Sequence, residues 1–186
     1  HCRYSTTGSS TWVNAQPTLR PTKYGTLALA HNGNLTNTGD LAELVQKLEG
    51  TPVNTRGATT DTEIMTALIA LQDQKNVEAS AIAVLPQLEG AFSLVFMDEH
   101  TLYAARDRHG VRPLVLGKLE TGWVVASESA GLDIVGAAFV REIEPGEFIA
   151  IDSNGVRSQR WAEAQPKGCL FEYVYLARPD TTIAGS

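Results

Sequence analysis

Apolar residues along this chain keep two rhythms. Between residues 38 and 88 they recur at helical spacing, and between 91 and 161 they come in short β-branched and aromatic runs. Leu41, Leu44, Val45 and Leu48 stand at i, i+3, i+4 and i+7, one face of a helix. Asn37 or Thr38 is placed to cap its start and Gly50 its end. Thr60 and Glu63 have capping-box spacing and open a second helix carrying Ile64, Leu68 and Leu71. A third helix is predicted over 77–88, after the polar turn 72–76.

Past Gly90 the pattern predicts strands over 91–97, 101–106, 114–117, 123–127, 139–143, 147–152 and 156–161, with a helical piece at 130–135. Asp152-Ser153-Asn154-Gly155 signals a hairpin, because Asn-Gly accepts the positive φ such a turn demands. Near the start, the core 5–11 of the Ser/Thr/Gly-rich segment 1–16 reads as a loop, and 26–31 as a buried strand ending in a tight turn at Asn32-Gly33. Residues 165–168 read as a linker, and 169–176 as a further apolar strand ended by Arg178-Pro179-Asp180. The order is α+β. It lacks the alternation of a dinucleotide-binding fold, and no P-loop or Gly-x-Gly-x-x-Gly opens a helix.

Composition narrows the class. The chain has 186 residues, 43% hydrophobic and 19% charged, which fits one globular domain, or one and a stub of another. A net charge of -6 argues against holding a nucleic-acid backbone. No apolar stretch approaches the roughly 20 residues needed to cross a bilayer. Cys2 and Cys169 are too few for a disulfide framework or a closed zinc site, so a reducing, cytoplasmic setting is expected. The first residue is His1 rather than Met, which reads as a cut or processed end.

Three segments set polar residues at the ends of apolar elements: Arg3 within 3–8, His31-Asn32-Gly33-Asn34, and Asp61. Each alone has a plain structural reading: a surface ion-pair partner, a turn and a helix cap. Together they describe a site. Arginine grips a carboxylate through two parallel bonds, aspartate holds an ammonium, and an Asn amide beside a Gly N–H can form an oxyanion hole. A free α-amino acid attacked at its side-chain carbonyl fits all three, and glutamine is such a substrate.

The runs His1-Cys2-Arg3-Tyr4-Ser5-Thr6-Thr7-Gly8, Asn14-Ala15-Gln16-Pro17, Ala30-His31-Asn32-Gly33-Asn34-Leu35, Thr60-Asp61-Thr62-Glu63, Ala105-Arg106-Asp107 and Gly110-Val111-Arg112-Pro113-Leu114 resemble the class II glutamine amidotransferases. The Arg-Tyr-Ser-Thr-Thr-Gly form and the closing segment 169–180 resemble the branch that makes phosphoribosylamine for purine nucleotide synthesis. The resemblance implies an N-terminal-nucleophile fold, an αββα sandwich of two antiparallel sheets flanked by helices. It implies that Arg3 holds the glutamine carboxylate and Asp61 its ammonium. Asn32 and Gly33 would form the oxyanion hole, and residues 3–14 a loop that closes over substrate.

The family's nucleophile is a cysteine at the mature N-terminus, with its own amino group as base. Cys2 occupies the variable position beside Arg3 and is rejected for that role. The expectation is therefore an amidotransferase domain over 1–164 that lacks its N-terminal part. Residues 165–186 would be a linker and the start of an absent phosphoribosyltransferase domain. Cys169 reads either as a buried thiol in a strand or, in the whole protein, as one ligand of a 4Fe-4S cluster needing three more thiolates.

No cofactor is implied for the glutaminase part, while Mg2+ is implied for the whole protein. The implied partners are glutamine, phosphoribosyl pyrophosphate through the absent domain, and further copies of the chain, without nucleic acid or membrane. The alternatives are a class II amidotransferase with another acceptor, or an inactive scaffold. Arg108 stands where the family usually has proline, which removes one source of rigidity from that turn. His31 and His109 read as structural or loop residues.

Overall fold

The computed structural model describes residues 12–50, 60–171, 174–175 and 179–181. Nine strands form two antiparallel sheets among these residues. The larger sheet comprises β1 (Thr18–Thr22), β2 (Gly25–Leu35), β3 (Gly90–Met97), β4 (Leu102–Arg106), β8 (Glu147–Asp152) and β9 (Gly155–Arg160), in the order β1-β2-β3-β4-β8-β9. The smaller sheet has β5 (Val115–Lys118) between β6 (Trp123–Ala126) and β7 (Ala138–Glu142). Four α-helices are named among the described residues: α1 (Thr38–Glu49), α2 (Asp61–Leu71), α3 (Val77–Val84) and α4 (Ser129–Ile134). None of the described helices is long and apolar enough to cross a membrane.

The period-2 alternation of each strand sorts side chains into layers. Leu29, Phe96, Tyr103 and Ala150 stand opposite one another across four strands, as do His31, Leu94, Ala105 and Phe148. This face packs on Val45, Met65, Leu68, Ala81 and Val84 of α1, α2 and α3. On the alternate row, Ala30, Val95, Ala104 and Ile149, the last three pack with Leu116 of β5 and with Leu114 and Ile143, which flank β5 and β7. On the outer side of that sheet Val115 packs against Leu132 of α4 and Ala137. The layers run helix, sheet, sheet, helix, as expected of the N-terminal-nucleophile fold.

Local chemistry explains the helix ends. Thr60 Oγ1 accepts the Glu63 N–H at 3.4 Å, and Asn76 Oδ1 accepts the Ala79 N–H at 2.8 Å. Gly50 closes α1 with φ +69°. Pro86 follows α3, whose last turn tightens into a 3-10 segment over Leu85–Gln87, so the helix is shorter than 77–88.

Four features differ from the sequence reading. Asn32-Gly33 is no turn. β2 continues through it to Leu35, pairing Asn32 with Ser93 and Gly33 with Phe92, because β3 offers an unbroken ladder that outweighs local turn preference. Asn37 does not cap α1 with its side chain; its amide instead bonds the Gln87 carbonyl at 2.9 Å and the Glu89 N–H at 3.1 Å. β1 has no counterpart in the sequence reading; it contains Pro21 and lies at the sheet edge, where proline is tolerated. The strand expected over 169–176 is absent among its described residues. Leu170, Phe171, Val174 and Tyr175 take helical conformations with their side chains exposed, and no ladder takes them up.

Candidate active site at the end of the second strand

The last residues of β2 carry two of the predicted site residues, and a third is bonded to the end of that strand. Asn32 and Gly33 are consecutive in the strand, and Asp61 opens α2 beside them. Its carboxylate accepts the Leu35 N–H at 3.3 Å and the Thr62 N–H at 2.9 Å, and His31 Nδ1 lies 3.5 Å from it. Asp61 is 6% exposed. Burial pushes its carboxyl up, but the His31 imidazole and the two backbone N–H groups outweigh that and hold it below the ordinary carboxylate value. The N-terminal end of α2 also favours the anion. Asp61 is therefore a buried, charged acceptor for a cation.

Gly33 tolerates no side chain. Its φ is +145°, and a Cβ there would lie 2.0 Å from the Ala91 carbonyl oxygen. Asn32 faces the other layer. Its Oδ1 accepts the Arg112 Nε–H at 3.1 Å, and its Nδ2 donates to Ser127 Oγ at 3.3 Å.

A scaffold of buried polar bonds holds these positions. Gln16 bridges β2 and α2: its Oε1 accepts the His31 N–H at 2.6 Å, and its Nε2 donates to Thr62 Oγ1 at 3.1 Å. Behind α2, Arg20 pairs with Glu49 and with Glu63. His31 Nε2 is buried and has no hydrogen-bond partner among the described residues.

The loop after β4 is fixed from two sides. Asp107 accepts the N–H groups of Phe92 (3.1 Å), His109 (2.7 Å) and Gly110 (2.9 Å). The Arg106 guanidinium donates to the carbonyls of Arg112 (2.9 Å), Ile143 (2.7 Å) and Gly110 (2.9 Å). Rigidity that proline would give at position 108 comes instead from these side chains. Residues 165–168 run along the same loop, with the Gln165 and Lys167 N–H groups on the Arg108 and His109 carbonyls.

Sequence reasoning reached Asn32, Gly33 and Asp61 but gave no role to Gln16, Arg112 or Ser127. Gln16 and Arg112 lie in the motif runs Asn14-Ala15-Gln16-Pro17 and Gly110-Val111-Arg112-Pro113-Leu114, which was the signal available. Ser127 carried none. Arg3 and Cys2 lie outside the described residues. Cys169 is a half-buried free thiol, and no three His, Cys, Asp or Glu residues converge on a metal site among the described residues.

The two stacked antiparallel sheets between helical layers define the N-terminal-nucleophile class of fold. The glutamine amidotransferase domain family matches residues 1–133, and the chain belongs to that family. It is 58% identical to the amidophosphoribosyltransferase of Mycobacterium leprae and 60% identical to that of Mycobacterium bovis, each covering all of this chain. The chain spans 34% and 36% of those relatives, about a third of their length. Among solved structures, the glutamine phosphoribosylpyrophosphate amidotransferase of B. subtilis complexed with ADP and GMP superposes with a TM-score of 0.90 at 36% identity, over all of this chain and 39% of that one.

Proposed function

We propose that this chain is the glutamine-cleaving part of an amidophosphoribosyltransferase. In that reading the whole protein releases ammonia from glutamine and passes it to phosphoribosyl pyrophosphate, giving phosphoribosylamine, glutamate and pyrophosphate in cytoplasmic purine synthesis. The observation that carries it is the buried, charged Asp61 bonded to the end of β2, the strand that also carries Asn32 and Gly33, in a chain whose curated relatives bear that name.

Each residue has a part. Asp61 holds the substrate ammonium and Arg3 its carboxylate. A cysteine at the mature N-terminus, distinct from Cys2 and Cys169, attacks the side-chain amide carbon, and its own amino group takes the thiol proton. The carbonyl oxygen becomes an oxyanion held by Asn32 and Gly33. Collapse of the intermediate returns the proton to the leaving nitrogen as ammonia, and water releases glutamate from the thioester. Residues 165–186 lead toward a phosphoribosyltransferase domain. Mg2+, a 4Fe-4S cluster with Cys169 as one ligand, and self-association belong to the whole protein, and no step above passes through them.

The test is glutamate release from glutamine by the product of the complete reading frame. Asp61→Asn is expected to raise the KM for glutamine by about a hundredfold, the scale of a lost buried charge pair. A reading frame without a cysteine at the mature N-terminus, or an Asp61→Asn variant with an unchanged KM, would sink the assignment.

A further inference from the structure

We propose that Arg112 is a positioning residue for the oxyanion hole: it fixes which end of the Asn32 amide faces the reacting carbonyl. The inference rests on the role proposed for Asn32 and adds a residue to it. An Asn side chain has an acceptor end and a donor end of nearly the same shape, and only its partners decide between the two orientations. Ser127 Oγ cannot decide, because a hydroxyl both donates and accepts. Arg112 can, because a guanidinium only donates. Its Nε–H bond to Asn32 Oδ1 at 3.1 Å forces the NH2 group to the opposite side. One hydrogen of that group goes to Ser127 at 3.3 Å, and the other has no acceptor among the described residues. That second hydrogen is the one an oxyanion can take up. Without Arg112 the amide can turn over, presenting Oδ1 to developing negative charge.

The fold holds Arg112 for this task. The register places Asn32, Ser93 and Arg106 in one row across β2, β3 and β4, on the face toward the second sheet. Ser93 Oγ and Arg106 Nε both donate to the Arg112 carbonyl, at 3.1 Å and 2.9 Å. The backbone of Arg112 is thus tied to the same row that carries the amide it orients. A guanidinium on Oδ1 also polarises the amide and makes its N–H a stronger donor.

A double-mutant cycle in the complete protein tests this, with Arg112→Met, Arg112→Lys, Asn32→Ala and the Arg112→Met/Asn32→Ala pair. Glutamate release and inhibition by glutamate γ-semialdehyde, whose thiol adduct places an oxygen in the hole, are the readouts. Arg112→Met is expected to lower kcat about ten- to a hundredfold, less than loss of the donor itself, with KM for glutamine within about twofold. The aldehyde should weaken by the same factor. The double variant should be no worse than Asn32→Ala alone, and Arg112→Lys, which keeps a donor and a charge, should recover part of the rate. A raised KM with unchanged kcat, or additive losses, would overturn the proposal. If Arg112→Met does not fold, Arg112→Lys carries the cycle and the same additivity decides it. If Asn32→Ala leaves kcat intact, the oxyanion-hole reading falls and Arg112 with it. If only Arg112→Met is silent, the hole stands and this inference alone falls.

Discussion

His31 and Asn32 are neighbours in β2, yet they serve opposite faces of the same sheet. His31 points into the layer under the helices, where Asp61 is held by the start of its own helix and by β2. That layer is filled with large rings and aliphatics, including Phe92, Phe96 and Phe148. Asn32 points toward the smaller sheet, on the side of a smaller cluster that includes Ala104, Ile149 and Leu114, and is oriented by partners 80 and 95 residues away. The proposed substrate grip is thus bound up with the main core, whereas the proposed hole depends on a few long-range polar contacts. Damage on the helix side should unfold the protein; damage on the sheet side should spare the fold and impair chemistry.

The largest effect expected from this contrast is in the core. Phe96 is 1% exposed and lies against Tyr103 and Phe148, with ring centroids at 4.9 Å and 6.1 Å. Phe96→Ala should cost about 3–5 kcal/mol of unfolding free energy. Its neighbour Val95 faces the other layer half-buried, and Val95→Ala should cost about 1–2 kcal/mol. Urea denaturation with an unchanged m-value measures both. Equal losses would remove the asymmetry between the layers.

A smaller effect separates two buried aspartates. Asp107 accepts three backbone N–H groups at 3.1 Å or less, whereas Asp61 has only one contact that short. Asp107→Asn turns an amide donor toward those N–H groups and should cost about 2–3 kcal/mol. Asp61→Asn should cost about 1–2 kcal/mol while carrying the larger loss of glutamine affinity. The reverse ranking in thermal melts would show Asp61 to be chiefly structural.

The layers were legible in the sequence because period-2 and period-3.6 patterns report burial, which dominates the main core. Leu41, Val45, Ile64 and Leu68 all pack where their spacing put them. Asn32-Gly33 misled for a physical reason: the positive φ that marks a turn residue is met at Gly33 inside a strand, where backbone crowding at Ala91 requires glycine. The closing segment misled because an apolar run alone does not make a strand: its described residues Leu170, Phe171, Val174 and Tyr175 are exposed and pair with no ladder. The polar partners of Asn32 were not legible as such. A bond spanning 80 or 95 residues leaves no periodicity, so Arg112 could be noticed only through its motif and Ser127 not at all.

The smallest effect lies where the two sheets meet. Glu147 begins β8 and is 4% exposed. Arg141 of β7 holds both its oxygens, at 2.8 Å and 2.6 Å, and the Glu144 N–H and the Ser158 hydroxyl complete the set. Burial pushes the Glu147 carboxyl up, but these donors outweigh it and hold it below its ordinary value. The folded chain therefore binds this proton less tightly than the unfolded chain does. Its stabilisation is complete above the ordinary glutamate value and is lost as pH falls through the depressed folded value. Asp61 contributes in the same direction from the helix face. Melting temperatures from about pH 3 to about pH 6 should thus rise with pH, and Glu147→Gln should lower the upper end while flattening the rise. Asp61→Asn should flatten it as well, and the two reductions should add, since the residues share no partner. Curves that stay parallel to the unaltered protein for Glu147→Gln would mean that the corner between the sheets carries no proton-linked stability.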